Sequence, residues 1–329
     1  MGDNYGQLRV GVIGAGHIAG KVCPTLAQME ECKCTAVASR SLGKAQEFAR
    51  QHGIAKAYGS YGELLDDPDI DMAYIATPHS HHYDVAMEAI RKGKPCLVEK
   101  SFMANAREAG EVLDLAAERK VFVAEAIWTR YMPSARMLRE LIDRGAVGEV
   151  AMISAGLCYP VDWKPRLMRP ELGGGALLDL GVYTINFMLM CHRGEIDRVV
   201  SNCILSPSGV DLQDSMSFTF RDGVMADLHC SARCATDKRG VVSGTDGYIV
   251  VDNINNPCSI KVFSKSGELT QELDCRAPIS GFEYEFLSCR KAIAEGRIEP
   301  EEMPHSESLR VMSIMDGLRK EWGVRFPMD

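Results

Sequence analysis

Six residues near the start of the chain, Gly14-Ala15-Gly16-His17-Ile18-Ala19, stand between two apolar patterns. Before them Leu8, Val10, Val12 and Ile13 read as a buried strand. After them Ile18, Val22 and Leu26 recur at helical spacing, with Pro24 placed to kink that helix. The result is G-x-G-x-x-A at a strand-to-helix turn. Gly14 permits the tight turn, Gly16 lets the backbone approach a pyrophosphate, and small Ala19 lets the helix pack on the strand. With His17 and Ile18 opening the helix, free N–H groups and the positive helix end attract phosphates. The chemistry predicted here is binding of a dinucleotide.

The second strand, Thr35-Ala36-Val37-Ala38, ends in Ser39-Arg40-Ser41, with Lys44 one turn on. An NAD site carries an acid at this point to bond the ribose 2′-hydroxyl, and none is present. A hydroxyl followed by a guanidinium suits a 2′-phosphate, which Arg grips with two bonds. The expected cofactor is therefore NADP, with NAD the weaker choice and Ser39, Arg40 and Lys44 as its phosphate contacts.

The elements that must position these groups alternate. Ser41 caps a predicted helix to about Gln51, and Ser60 with Glu63 forms a capping box for the next. Met72 to Ala76 is a strand ending in Thr77-Pro78, followed by a helix from His82 to Arg91 that Gly93 stops. Pro95 to Val98 is a strand delivering Glu99-Lys100-Ser101, and Val121 to Ala124 is another. Alternation of this kind predicts a Rossmann-type doubly wound parallel sheet, with ligands beyond the carboxyl ends of its strands. Gly14, Ser39, Thr77 and Lys100 all fall at such ends and should converge.

From about residue 149 the pattern changes to extended segments. Gly174 to Met190 reads as one apolar helix with Asp179 and Tyr183 on one face. Asp222-Gly223 and Ser266-Gly267 mark hairpins, and Phe282 to Glu295 and Ser306 to Trp322 read as closing helices. The fold class is thus α/β: a Rossmann domain over residues 1–124, then an α+β domain over 125–329 with an open, largely antiparallel sheet and C-terminal helices.

The chain resembles the glucose-fructose oxidoreductase/inositol dehydrogenase (Gfo/Idh/MocA) family. The likeness rests on Gly14-Ala15-Gly16, Thr77-Pro78-x-x-x-His82, Gly93-Lys94-Pro95 leading into Glu99-Lys100, and Gly173-Gly174-Gly175-Ala176-x-x-Asp179-x-Gly181-x-Tyr183. Glu125 to Arg130 and Gly281-Phe282-x-Tyr284-Glu285 are most similar to the branch that oxidises trans-dihydrodiols and pentoses with NADP. The resemblance implies that Tyr183 is the acid/base and Lys100 its partner on the reacting oxygen. An ammonium beside a phenol favours the phenolate, which suits this pair. Asp179 then binds a substrate hydroxyl or orients Lys100, and Trp128 is a candidate apolar wall of the substrate pocket. Pro78, His79, His82 and Glu99 join the cofactor contacts, His82 as a support of the loop rather than a catalyst. Trp163, Arg166 and Arg169 are candidates to gate the pocket or touch an anionic group. The family also implies a homodimer through the open sheet. One departure stands out: the family reads Glu-Lys-Pro, usually with a cis peptide, and this chain has Ser101. A cis and a trans Lys100-Ser101 peptide are both open.

Composition narrows the classes. The chain has 329 residues, 25% of them charged and 46% hydrophobic, as in globular proteins of about two domains. The net charge of −8 counts against a nucleic-acid partner. No uninterrupted apolar run reaches membrane-spanning length and no secretory signal opens the chain, so a membrane partner is not expected. The 12 cysteines lack paired spacing and read as reduced thiols of a cytoplasmic protein. His79, His81 and His82 have no carboxylate or cysteine at ligand spacing, so no metal is expected. The expectation is an NADP-dependent dehydrogenase for CH–OH groups of a small polyhydroxylated substrate, an aldose such as a pentose or a trans-dihydrodiol. A keto-sugar or inositol-type NAD(P) dehydrogenase, or a non-catalytic cofactor-binding regulator, are the alternatives.

Overall fold

The computed structural model describes residues 5–329. The chain divides into two compact units. One holds the residues up to Trp128 together with Phe282–Ser313, and the other holds Thr129–Gly281 with Ile314–Asp329.

In the first unit, six strands form a wholly parallel sheet. They are β1 (Leu8–Ile13), β2 (Cys32–Ala38), β3 (Lys56–Tyr58), β4 (Met72–Ile75), β5 (Cys96–Glu99) and β6 (Val123–Ala126), in the order β3-β2-β1-β4-β5-β6. The connecting helices are α1 (His17–Leu26), α2 (Leu42–His52), α3 (Tyr61–Asp66), α4 (His82–Arg91) and α5 (Ala106–Arg119). Strand order reverses between β1 and β4, and such a switch point opens a crevice at the carboxyl ends. Val10, Val12, Ile13 and all of β4 are fully or nearly fully buried, as expected of strands covered on both faces. Ser60 accepts the Glu63 N–H to cap α3, and Asn105 accepts the Glu108 N–H to cap α5. Ser41 stands at the start of α2 but makes no capping bond with its side chain. Pro24 lies inside α1, which ends two residues later.

The second unit is built on an eight-stranded sheet. Its elements are α6 (Pro133–Asp143), β7 (Val150–Cys158), α7 (Val182–Cys191), β8 (Ile196–Leu205), β9 (Asp211–Phe220), β10 (Met225–Ser231), β11 (Gly240–Gly244), β12 (Gly247–Val251), β13 (Ser259–Ser264) and β14 (Leu269–Asp274). The order is β14-β13-β12-β11-β7-β10-β9-β8, antiparallel except for the β7/β10 pair. Along β10 the residues alternate: Ala226, Leu228 and Cys230 are buried, while Met225, Asp227 and His229 are exposed. One face of the sheet is therefore core and the other is open. Residues 170–191 are long and apolar enough to cross a membrane by composition, but that segment is 89% buried within the protein.

The closing segment corrects the expected domain boundary. Helix α8 (Glu283–Ala294) and the first half of α9 (His305–Trp322) belong with the parallel sheet, not with the second unit. Phe286 is fully buried, edge-on to Tyr74 of β4 at 5.5 Å. Arg290 donates to the carbonyls of Gly6 and Tyr5. The Ile298 carbonyl accepts the Val123 N–H of edge strand β6 at 3.0 Å, which covers the start of that sheet edge. The first unit also runs on past residue 124, through Trp128.

Candidate active site

The carboxyl ends of β1, β2, β4 and β5 bring the expected cofactor residues to one edge of the parallel sheet. Gly14 takes φ +107°, and a Cβ there would lie 2.6 Å from the Ala76 carbonyl. Only glycine fits this turn. The Gly14 N–H donates to Ala38 O at 2.9 Å and the Ala76 N–H to Ile13 O at 2.8 Å, so the three strand ends are tied together. Gly16 and His17 are exposed at the start of α1, and Ala19 is fully buried against the sheet. Ser39 follows β2, its N–H donating to Tyr58 O. Arg40 and Lys44 are exposed and form no hydrogen bond or ion pair among the described residues.

Thr77 follows β4, and its hydroxyl is buried without a hydrogen-bond partner. An orphaned polar atom of this kind has a cost that a ligand can remove. Pro78 precedes a short turn, His79–His81. His79 is buried, with Nε2 3.2 Å from the Lys100 carbonyl. The His82 ring is wholly buried between two loops. Nε2 stands 2.9 Å from Thr77 O, and Nδ1 stands 3.1 Å from both Ser101 O and Phe102 O. Burial pushes the imidazole down to about 4, against the opposing pull of those carbonyls, so the ring is neutral at physiological pH. A neutral ring carries one N–H, so His82 donates to only one of these loop ends and packs against the other.

Glu99 is buried and accepts the Tyr74 hydroxyl, whose own ionisation burial and the Glu99 charge oppose. The Lys100-Ser101 peptide is cis although serine follows the lysine. Trp128 stacks on Phe282 at 4.4 Å with 29° between the rings. The glycine turn, the orphaned Thr77 hydroxyl and the unpaired cations after β2 fit a phosphorylated dinucleotide.

In the second unit, the expected helix begins differently. Leu177–Gly181 form a single π turn before α7, where one uniform helix was expected. A Cβ on Gly181 would lie 2.9 Å from the Leu177 side chain and 3.2 Å from the Cys230 sulfur, so the turn is closely packed at that point. Such turns recur at functional sites. This one carries Asp179 and leads directly into Tyr183, which is 8% exposed. Arg166 Nη2 reaches Asp179 Oδ1 at 3.0 Å from the preceding loop. In that same loop the Trp163 indole is 72% exposed and donates to Pro160 O.

Comparison with known proteins gives this arrangement its family. Residues 8–126 match the oxidoreductase family with an NAD-binding Rossmann fold designated GFO_IDH_MocA, and residues 135–250 match the C-terminal domain of the same group. The chain belongs to the Gfo/Idh/MocA family. It is 33% identical to trans-1,2-dihydrobenzene-1,2-diol dehydrogenase of Danio rerio, over 98% of this chain and 99% of that one. It is also 33% identical to the Homo sapiens protein of the same name, over 100% and 99%. Among solved structures, a 3-ketoreductase from Actinomadura kijaniata in complex with NADP and TDP-benzene superposes with TM-score 0.86 at 25% identity, over 95% and 97% of the two chains. An aldose-aldose oxidoreductase from Caulobacter crescentus shares the fold, with TM-score 0.87 at 20% identity over 96% and 98%.

Within the Gfo/Idh/MocA frame, the chain is an oxidoreductase with an NAD(P)-binding Rossmann domain that acts as a dehydrogenase on CH–OH groups. Gly14, Gly16, His17, Ile18, Ser39, Arg40, Lys44, Thr77, Pro78, His79, His82, Glu99, Lys100 and Trp128 lie in its first unit, and Asp179 and Tyr183 in its second. Several partners went unread in the sequence. Phe282 stacks on Trp128, and Arg130 donates to buried Asn186 at 2.6 Å. Arg166 pairs with Asp179, and Asp211 lies behind the glycine loop. These pairs join residues from 13 to more than 150 positions apart, and no local spacing signals them.

Proposed function

We propose that this enzyme uses NADP to oxidise the hydroxyl of a small polyhydroxylated substrate, an aldose such as a pentose or a trans-dihydrodiol. The nicotinamide supplies the hydride chemistry when bound. Tyr183 removes the proton from the reacting hydroxyl, and Lys100 holds that oxygen and favours the phenolate. Asp179 accepts a second substrate hydroxyl, so the proposed substrate carries more than one. The stacked Trp128 and Phe282 rings offer an apolar face to a cyclic substrate.

The observation that carries the cofactor choice is the end of β2. Ser39 stands where an acid would meet a ribose hydroxyl, and Arg40 and Lys44 stand exposed beside it. A 2′-phosphate would meet two cations and no anion there. The relatives named trans-1,2-dihydrobenzene-1,2-diol dehydrogenase support the dihydrodiol reading. The NADP-bound 3-ketoreductase supports a second one, reduction of a keto-sugar by NADPH.

The deciding experiment is absorbance at the reduced-nicotinamide band, with NADP⁺ and a panel of aldoses, inositols and a trans-dihydrodiol. Reduction by one member names the substrate class. Silence across the panel with tight NADPH binding moves the reading to a carbonyl reductase or to a regulator without turnover. A homodimer through the open sheet is part of the proposal, since Met152, Met225, Val200 and Ile204 are all exposed apolar residues on strands of that sheet. Glutamate at Met152 and Met225 should yield a monomer by sedimentation. The free thiols along the chain suit a reducing compartment, and a cytoplasmic location completes the proposal.

A further inference from the structure

Two carboxylic residues lie buried beneath the turn that carries Asp179 and leads into Tyr183. Asp211 and Asp214 are 0% and 1% exposed and sit three residues apart on β9. The period of a regular strand would send them to opposite faces. Here both point inward, because the β8/β9 register shifts between Ile204 and Leu205, opposite the start of β9. Bulges of this kind re-aim side chains near functional sites.

Asp211 reaches the turn itself. Its Oδ2 accepts the Leu177 N–H at 2.5 Å, with the Ala176 amide also directed at the carboxylate. Gly175, at φ +113°, leaves the room: a Cβ there would lie 2.3 Å from Asp211 Oδ1. Asp214 lies beside Asp211, and its Oδ2 accepts the thiol of Cys230 at 3.0 Å. Neither acid has an ion-pair partner among the described residues. Asp211 Oδ1 and Asp214 Oδ1 are both buried oxygens without a donor. Two adjacent carboxylates in an apolar site cannot both stay ionised. One proton between them removes both orphans together.

We propose that Asp211 and Asp214 share a single proton and act as a positioning pair for the Leu177–Gly181 turn, Asp211 as the ionised acceptor of backbone N–H groups and Asp214 as the acid that donates to it. The proton belongs on Asp214 because backbone amides stabilise charge on Asp211, while the Cys230 thiol is the donor that meets Asp214 among the described residues. Burial, together with the Asp211 charge, pushes the Asp214 carboxyl up to about 9. The other titratable groups facing the pair are Cys230 on β10, with Cys158 of β7 beyond it, and Cys203 on β8. The kinetic side of this proposal rests on the roles given above to Asp179 and Tyr183, while the shared proton does not.

Infrared spectroscopy of the full chain tests the proton first. Labelling only aspartate carboxyls excludes Glu285, another buried acid whose carboxyl is pushed well up by burial and by the Glu99 charge. At neutral pH an aspartic-acid C=O band should appear in the wild type and vanish in D214N. Its absence, or its survival in D214N, overturns the shared proton. For positioning, D211N should lower kcat by about tenfold and speed amide exchange at Leu177, while NADPH affinity changes by less than about twofold. D214V, which has no donor, should lose comparable turnover, and D214N, which keeps one, should recover most of it. Folded D211N with wild-type kcat and wild-type exchange at Leu177 overturns the positioning role. If D211N and D214V do not fold, the band and the D214N kinetics still decide. A band together with faster Leu177 exchange but unchanged kcat would leave the pair standing and remove Asp179 and Tyr183 from the reaction.

Discussion

Arg166 Nη2 stands 3.0 Å from Asp179 Oδ1, joining a guanidinium 38% exposed to a carboxylate 13% exposed. A pair this open to water is worth about 0–1 kcal/mol to folding, so its importance lies in where it holds the carboxylate. R166M should lower kcat/KM by about tenfold while the melting midpoint moves by no more than about 3 °C. R166K should recover part of the loss. Steady-state kinetics beside a thermal melt checks this, and a fall in stability with unchanged kcat/KM would make the pair purely structural.

The cations after β2 carry the cofactor choice. R40A should weaken NADPH by at least about tenfold and leave NADH nearly unchanged, because only the 2′-phosphate meets that guanidinium. Nicotinamide fluorescence titrations give both constants. Equal losses for the two cofactors would remove Arg40 from phosphate recognition.

Tyr183 tests the chemistry itself. Y183F deletes one oxygen from a side chain only 8% exposed and keeps its packing. A general acid/base contributes about 10²–10⁴-fold, so turnover should fall by that order with cofactor affinity intact. A variant that turns over normally would mean another group handles the proton.

His82 makes stability depend on acid in a definite direction. The unfolded ring binds a proton below its ordinary value of 6.5, while the buried ring does so only near 4. Stability from this residue is complete above 6.5 and drains as the pH falls toward 4. Over that interval the loss comes to about 3 kcal/mol in total. Urea unfolding at several pH values should show this slope in the wild type and a flatter one in H82Q. Identical slopes would show that the ring is not held neutral.

The parallel sheet was readable in the sequence because each of its signals is local. The glycine turn at Gly14 sits next to the strand it ends, and Asn105 caps a helix whose first turn holds Glu108. Of its strands, β3 escaped notice, since three half-buried edge residues, Lys56–Tyr58, carry no apolar period. Contacts between distant segments were out of reach. Nothing near Phe282 says that it will stack on Trp128, and nothing in 282–313 says that this stretch returns to the first sheet. The π turn at Leu177–Gly181 was hidden because its residues also suit an α-helix, and packing against Cys230 and Asp211 selects between the two.

The return of Phe282–Ser313 to the first sheet sets the order of events during synthesis. Val123 can engage Ile298 and His305 only after the ribosome has made more than nine-tenths of the chain. Until then β6 leaves the ribosome as an unpaired edge, exposed to wrong partners. A premature stop before residue 282 would release the dinucleotide fold without the segment that completes its compact unit.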